Sequence, residues 1–282
     1  MQHDESRPDS GITLGAQERP HAARMYDYFL GGKDHYAADR NAADKAREVW
    51  PHVAQAARAN RHFMHRAVHT LARQGFRQFL DIGTGIPTSP NLHEIAQAVT
   101  PEARVVYTDH DPIVLSHARA LLTGTDEGHT DFVQADITQP EHILDAPELQ
   151  STLDLAEPVA LSANAVLHFV TDDHDPYGII AQLLNALPSG SALCLTHVTA
   201  DLDQTYIPRV VEVYNAQGVS AQARSRDEVE RFFTGLEFLD PGIVPAHKWR
   251  PETRPQHEAF TGTGTDVPDE EVSIWAGIGI KQ

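Results

Sequence analysis

The sequence predicts an α/β protein in which a helical block precedes a mainly parallel sheet, and two observations carry that expectation. From residue 76 onward, short β-branched runs alternate with helix-length segments: FRQFLDI, ARVVYTD, TDFVQAD, PVALSANAV and SALCLTHV. Such alternation implies βαβ units. The polar residues that close the first four runs, Asp81, Asp109, Asp136 and Asn164, recur at intervals of 28, 27 and 28 residues. One strand and its return helix occupy roughly 30 residues, so these side chains line one edge of one sheet. Ligands of open α/β sheets bind at that carboxyl edge, where the strand order reverses.

The helical block covers residues 21–74. HAARMYDYFL stops at Gly31 and Gly32, a pair suited to a left-handed C-terminal cap. A second helix runs from about Tyr36 to Val49, ahead of Pro51. The third, VAQAARANRHFMHRAVHTLARQG, aligns Phe63, Ala67 and Leu71 on one face and ends at Gly75. In the first βα connection, Ser89 before Pro90 reads as a helix N-cap, with Leu92, Ile95, Ala96 and Val99 on the buried face. Asp111 before Pro112 caps the next helix in the same way. The expected organisation is a disordered tail over residues 1–19, a helical cap over 20–75 and the sheet domain over 76–282.

Composition narrows the function. The 282 residues are 41% hydrophobic and carry 40 acidic against 22 basic side chains, a formal charge of −18. Nucleic-acid binding needs a basic footprint to neutralise phosphates, so this balance opposes it. The basic residues crowding the first quarter, from Arg24 and Lys33 to Arg61, Arg66 and Arg73, read as solvated helix faces. No run approaches the roughly 18 apolar residues of a membrane span, and the N-terminus lacks the apolar core of a signal peptide. A single cysteine, Cys194, precludes an internal disulfide, so the expected setting is cytoplasmic. The pattern fixes no oligomeric state.

The glycine turn in FLDIGTGIPTSPNLHEIAQAV, residues 79–99, narrows the ligand. Gly83 and Gly85 allow a tight turn and close approach to the backbone. Dinucleotide-binding turns carry a third glycine, which admits a pyrophosphate and close helix packing; here the chain continues through Ile86 to Pro87. Asp81 would repel a pyrophosphate and suit an ammonium group. Asp109 sits where a carboxylate can accept both ribose hydroxyls, and Asp136 where it can accept from an adenine amino group, with Ile137 beside the ring. S-adenosylmethionine fits, because it has an amino-acid tail, a sulfonium, a ribose and an adenine, and no phosphate.

DIGTGIPT, VVYTDHDP, VQADI and LPSGSALCLTHV resemble successive motifs of class I S-adenosylmethionine-dependent methyltransferases. RMYDYFLGGKDHYAADR, RQFLDIGTGIPT and FFTGLEFLDPGIVPAHKWRP are similar to one subgroup, the actinomycete S-adenosyl methyltransferase family formerly treated as a domain of unknown function. The similarity spans residues 22–280. It implies a Rossmann-like, seven-stranded sheet under an N-terminal helical cap, with GLEFLDPGIVPA and VSIWAGIGIK as a final antiparallel hairpin. It also implies S-adenosylmethionine as cofactor, with Asp81, Gly83 and Gly85 at the methionine end, Asp109 at the ribose and Asp136 at the adenine. Thr88 and His110, within the same motifs, join the expected cofactor set. The expected reaction transfers a methyl group to an unidentified small molecule. A non-catalytic S-adenosylmethionine-binding module and a nicotinamide-dependent oxidoreductase are the alternatives.

The remaining candidates are weaker. LGGKD, residues 30–34, lacks the glycine and hydroxyl of a phosphate loop and reads instead as a bend between two cap helices, placing Tyr26, Lys33 or Tyr36 over the sheet edge. His62, His65 and His69 share a helix face with Arg58, Arg66 and Arg73, whose charge opposes a metal; the face reads as solvated, and no metal is expected. His168 and His197 follow the fourth strand and close the fifth, on the methyl-acceptor side. Both are candidates for proton transfer, with a hydrogen-bonded structural role as the alternative. Asn164 either orients an acceptor or pairs internally. Tyr206 and Tyr214 read as core or lid packing, with stacking on the acceptor as the alternative.

Overall fold

A computed structural model of the chain describes residues 17–252 and 267–282. Most of the expected tail, residues 1–16, lies outside the described residues. The helical block forms as its punctuation predicts. Helix α1 (Ala22–Leu30) begins where the His21 imidazole accepts from the Ala23 N–H, and ends at Gly31 with φ 82°, a left-handed cap that favours glycine. Helix α2 (Ala37–Val49) starts where the Asp39 carboxylate accepts the Tyr36 N–H at 2.8 Å. Helix α3 (Val53–Arg73) buries Phe63, Ala67 and Leu71, and the Phe63 ring meets Trp249 edge-on at 5.4 Å.

The sheet follows. Strands β1 (Gln78–Ile82), β2 (Arg104–Asp109), β3 (His129–Gln134), β4 (Ala160–Asn164) and β5 (Ala192–Val198) are parallel, in the order β3-β2-β1-β4-β5. Helices α4 (Leu92–Val99), α5 (Pro112–Leu121), α6 (Pro140–Leu144), α7 (Pro147–Thr152) and α8 (Pro176–Asn185) return the chain between them. The order reverses between β1 and β4, and there the carboxyl ends of the strands open a crevice. After β5 come α9 (Ile207–Ala216), α10 (Arg226–Glu230), β6 (Leu236–Phe238), β7 (Val244–Pro245) and β8 (Ile274–Lys281). Strand β8 runs antiparallel beside β5, while β6 and the two-residue β7 lie end to end along its outer edge. The eight strands therefore make a sheet seven strands wide, with the expected antiparallel end.

Two expectations are corrected. Helix α4 is capped by Asn91, not Ser89: the Asn91 side chain faces the Glu94 backbone N–H, the Glu94 carboxylate takes the Asn91 N–H, and the Asn91 carboxamide also accepts the Thr88 N–H. This reciprocal N-x-x-E box satisfies more end groups than a lone serine. The basic first quarter is not uniformly solvated either. Arg24 is buried against Asp39 and Asp111, and Arg66, His62 and His65 are buried because α3 packs against α1, α4 and β8. Arg66 donates to the carbonyls of Trp249 and Ala246, and His65 to that of Pro90. Among the described residues no helix is long and apolar enough to cross a membrane.

Candidate functional site

The glycine turn is held against β2 by its own backbone. The N–H groups of Gly83 and Thr84 both donate to the Thr108 carbonyl, at 2.9 and 3.0 Å. Gly83 and Gly85 have φ of 67° and 68°, so both need the left-handed region. A Cβ on Gly83 would also lie 2.5 Å from the Val166 side chain. The Asp109 carboxylate accepts from Gly85 N–H and Asp111 N–H, each at 3.0 Å. A carboxylate offers about four lone-pair positions, so acceptor capacity remains for a ligand. Asp111 caps α5 as expected and accepts from Arg24, which bridges it to Asp39 with both contacts at 2.9 Å. This buried triad fastens α1 and α2 to the start of α5.

Asp81, at the end of β1, accepts from Ser162 Oγ at 2.7 Å, and Ser162 accepts from the Asn164 amide at 2.9 Å. Burial pushes the Asp81 carboxyl up to about 6, against the pull of Ser162 and Arg61. The Asn164 carbonyl accepts from the Cys194 thiol at 3.7 Å. Asn164 thus pairs internally with two side chains while lining the cavity.

The cap closes the crevice. Tyr26 on α1 donates to the Ala57 carbonyl at 2.9 Å and accepts from Asn60 at 2.8 Å. Asn60 in turn accepts from Thr196 Oγ on β5, and Thr196 accepts the N–H of Ala165 at 2.8 Å. Ala165 has φ 54°, a conformation costly for a residue with a side chain. One hydrogen-bonded chain therefore runs from the cap across α3 to β5 and the strained end of β4.

Between cap and sheet lies a cavity of about 490 Å³. Tyr26, Asp81, Gly83, Gly85, Asp109, His110, Asp136, Ile137, Asn164 and His168 all line it. Its other half, between α1–α3 and α9, is apolar: Phe29, Trp50, Val53, Met64, Val210 and Tyr214 face it. His110 meets His21 across the mouth, with ring nitrogens 3.1 Å apart. Asp136 is exposed, and its carboxylate accepts the Thr138 N–H at 2.9 Å. Tyr206 is 44% exposed and stands outside the lining. Among the described residues no group of three or more His, Cys, Asp or Glu is placed to hold a metal.

Three expected site residues are not brought to the cavity. Lys33 is exposed and outside the lining, because the Gly31-Gly32 turn folds onto Asp27, whose carboxylate accepts the Asp34 N–H at 2.9 Å. Thr88 is drawn into the α4 cap, its N–H on Asn91 and its carbonyl accepting from Arg61. His197 is buried behind the site. Its Nδ1 donates to the Val198 carbonyl and its Nε2 accepts from Arg224, both at 2.8 Å, which fixes it as a neutral structural imidazole. His168 does face the cavity, but burial and Arg224 push its pKa down to about 3, so its imidazole is neutral at pH 7. Sequence reasoning missed Asn60 and Arg61, which line the cavity from α3. An apolar-periodicity reading of that helix gives polar residues no reason to face inward.

Comparison with known proteins agrees with this geometry. A family described as S-adenosyl methyltransferase matches residues 13–282. A DUF574 family protein from Streptomyces avermitilis is 49% identical, over 94% of this chain and 99% of its own, with a TM-score of 0.89. A candidate methyltransferase from Thermobifida fusca is 35% identical, over 98% and 99% of the two chains, with a TM-score of 0.85. The plantazolicin methyltransferase BpumL, at 13% identity and a TM-score of 0.52, shares the fold alone. No curated protein matches the chain in sequence.

Proposed function

The chain belongs to the S-adenosyl methyltransferase family, a methyltransferase with S-adenosylmethionine as its cofactor, and from that premise we propose that it methylates a small, largely apolar molecule beneath the cap. One observation carries this reading: a single cavity joins the strand-end carboxylates to an apolar chamber. Its volume of about 490 Å³ falls within the range of small-molecule sites, roughly 300–1,000 Å³.

The residues present fit the cofactor. Asp81 is a half-buried carboxylate suited to an ammonium group, and the left-handed turn at Gly83 and Gly85 takes no side chain without strain. Asp109 would take the ribose hydroxyls, and Asp136 with Ile137 the adenine, with His110 at the mouth. When bound, S-adenosylmethionine supplies an electrophilic methyl group on a sulfonium. The protein's part is then positioning, with Tyr26 and Asn60 holding the cap over the sheet edge and the apolar wall excluding water. Excluding water favours the reaction because the charge concentrated on the sulfonium is spread between sulfur and acceptor as the sulfur–methyl bond breaks and the acceptor–methyl bond forms. With its pKa held so low His168 is a weak base, so it orients an acceptor by hydrogen bonding, and any proton the acceptor gives up after transfer passes to solvent.

Calorimetric titration with S-adenosylhomocysteine tests the assignment. Wild type should bind, and Asp109→Ala should bind roughly ten- to a hundred-fold more weakly, since hydrogen bonds to a charged group contribute about 1.5–3 kcal/mol. Unchanged affinity in the folded variant would remove Asp109 from the site. Incubation with label in the cofactor's methyl group and a panel of apolar small molecules tests the acceptor class. Label appearing on protein or nucleic acid instead would overturn it, and binding without any turnover would favour the non-catalytic alternative.

A further inference from the structure

Arg61 is the one strongly basic side chain among the cavity-lining residues. It projects from α3 toward the loop that follows the glycine turn, where its Nη2 donates to the carbonyls of Thr88 and Pro90. Its Nε is shielded from solvent and has no hydrogen-bond partner. The carboxylates that act on it, Asp81 and Glu94, do so at a distance, and both are engaged elsewhere: Asp81 with Ser162, Glu94 with Asn91. Two carbonyl dipoles solvate a guanidinium but do not neutralise it, so this half-buried charge stands beside the cavity without a paired counter-charge. Burial accordingly pushes the Arg61 pKa down. A guanidinium nonetheless stays protonated in proteins and is the group whose planar fork best matches a carboxylate.

We infer that Arg61 binds a ligand carboxylate, and that this carboxylate is the one on the methionyl tail of the cofactor. The inference rests on the methyltransferase reading above. Asp81 and Arg61 both line the cavity near the glycine turn and carry opposite charges. An α-amino acid is their complement, with its ammonium on Asp81 and its carboxylate on Arg61. Arg61 alone would also suit the diphosphate of a nicotinamide dinucleotide, but Asp81 beside it would repel that group. The other source of a carboxylate is the methyl acceptor, and the experiment separates the two.

Affinities of S-adenosylhomocysteine and of its decarboxylated analogue, the thioether amine that lacks only the carboxylate, are measured by calorimetry on wild type, Arg61→Met and Arg61→Lys. Wild type should prefer S-adenosylhomocysteine by roughly ten- to a hundred-fold. Arg61→Met should bind the two ligands equally, and Arg61→Lys should keep part of the preference. Comparing two ligands on one protein cancels any loss of folded material, so a purely structural role for Arg61, tying α3 to residues 88–90, would leave the ratio intact. An Arg61→Met protein that still discriminates overturns the inference. So does a wild type with no preference, which would leave the carboxylate to the acceptor. If neither ligand binds wild type, the cofactor reading itself fails, and this inference with it.

Discussion

Replacing Asp81 with asparagine should stabilise the free protein and cripple the site at once. The Asp81 carboxyl is pushed from an ordinary 3.8 up to about 6, chiefly by burial. A rise of that size corresponds to about 3 kcal/mol at neutral pH. The native state binds this proton more tightly than the unfolded chain does, so the contribution is present below about pH 4 and lost as pH rises through about 6. The asparagine side chain would keep the contact with Ser162, whose hydroxyl donates to the Asp81 carboxylate at 2.7 Å, and would carry no charge to desolvate. Urea denaturation of both proteins without ligand, from about pH 4 to 7.5, gives the difference in stability as a function of pH. It should widen in favour of Asp81→Asn by up to about 3 kcal/mol, most steeply between pH 4 and 6. Cofactor affinity should move the opposite way. S-adenosylhomocysteine should bind the variant roughly ten- to a hundred-fold more weakly, and wild type should lose affinity as pH falls through about 6. A stability difference that does not change with pH would refute the burial argument, and unchanged affinity would remove the ammonium contact.

The two glycines of the turn should respond unequally. Gly83→Ala and Gly85→Ala both incur about 1–2 kcal/mol for the left-handed region, but only the first drives a Cβ to within 2.5 Å of Val166. Gly83→Ala should therefore lower the urea midpoint further, and Val166→Ala in the same chain should restore the excess; equal midpoints for the two single variants would exclude the collision. His168 should not titrate in the ordinary histidine range, because burial and Arg224 hold its pKa near 3. Its imidazole proton resonance should stay constant in NMR spectra recorded from about pH 8 down to 5, and a midpoint near the ordinary value of 6.5 would return it to the list of bases.

Much of the sheet was legible because its signals are local. Asp81, Asp109 and Asn164 each close or end a strand at the βα period, and the glycine pair between β1 and α4 has the backbone angles that only such residues take easily. The end of α1 at Gly31 and the cap of α5 at Asp111 were legible for the same reason. The inward face of α3 was not. Arg61, His65 and Arg66 donate there to main-chain carbonyls of Pro90, Ala246 and Trp249. A carbonyl is present on every residue, so its use as a partner leaves no trace in composition or spacing. His197 fails as a candidate on similar grounds. Its partner Arg224 comes from a segment 27 residues away, with nothing in either motif to pair them.

The position of β8 bears on how the protein is made. Residues 274–281 lie between β5 and the β6–β7 edge, so the strand furthest along the chain occupies an interior place in the sheet. During synthesis the cap helices and all five parallel strands leave the ribosome before it. Until β8 arrives, β5 presents a row of unpaired backbone groups and an apolar run, ALCLTHV, as an open edge. Among the described residues strands β6 and β7 pair only with β8, so their place in the sheet depends on it. A chain without β8 would leave the sheet open beside Thr196, the residue to which Asn60 on α3 is bonded. The strand that β8 covers is therefore the same one that anchors the cap over the ligand site through Thr196.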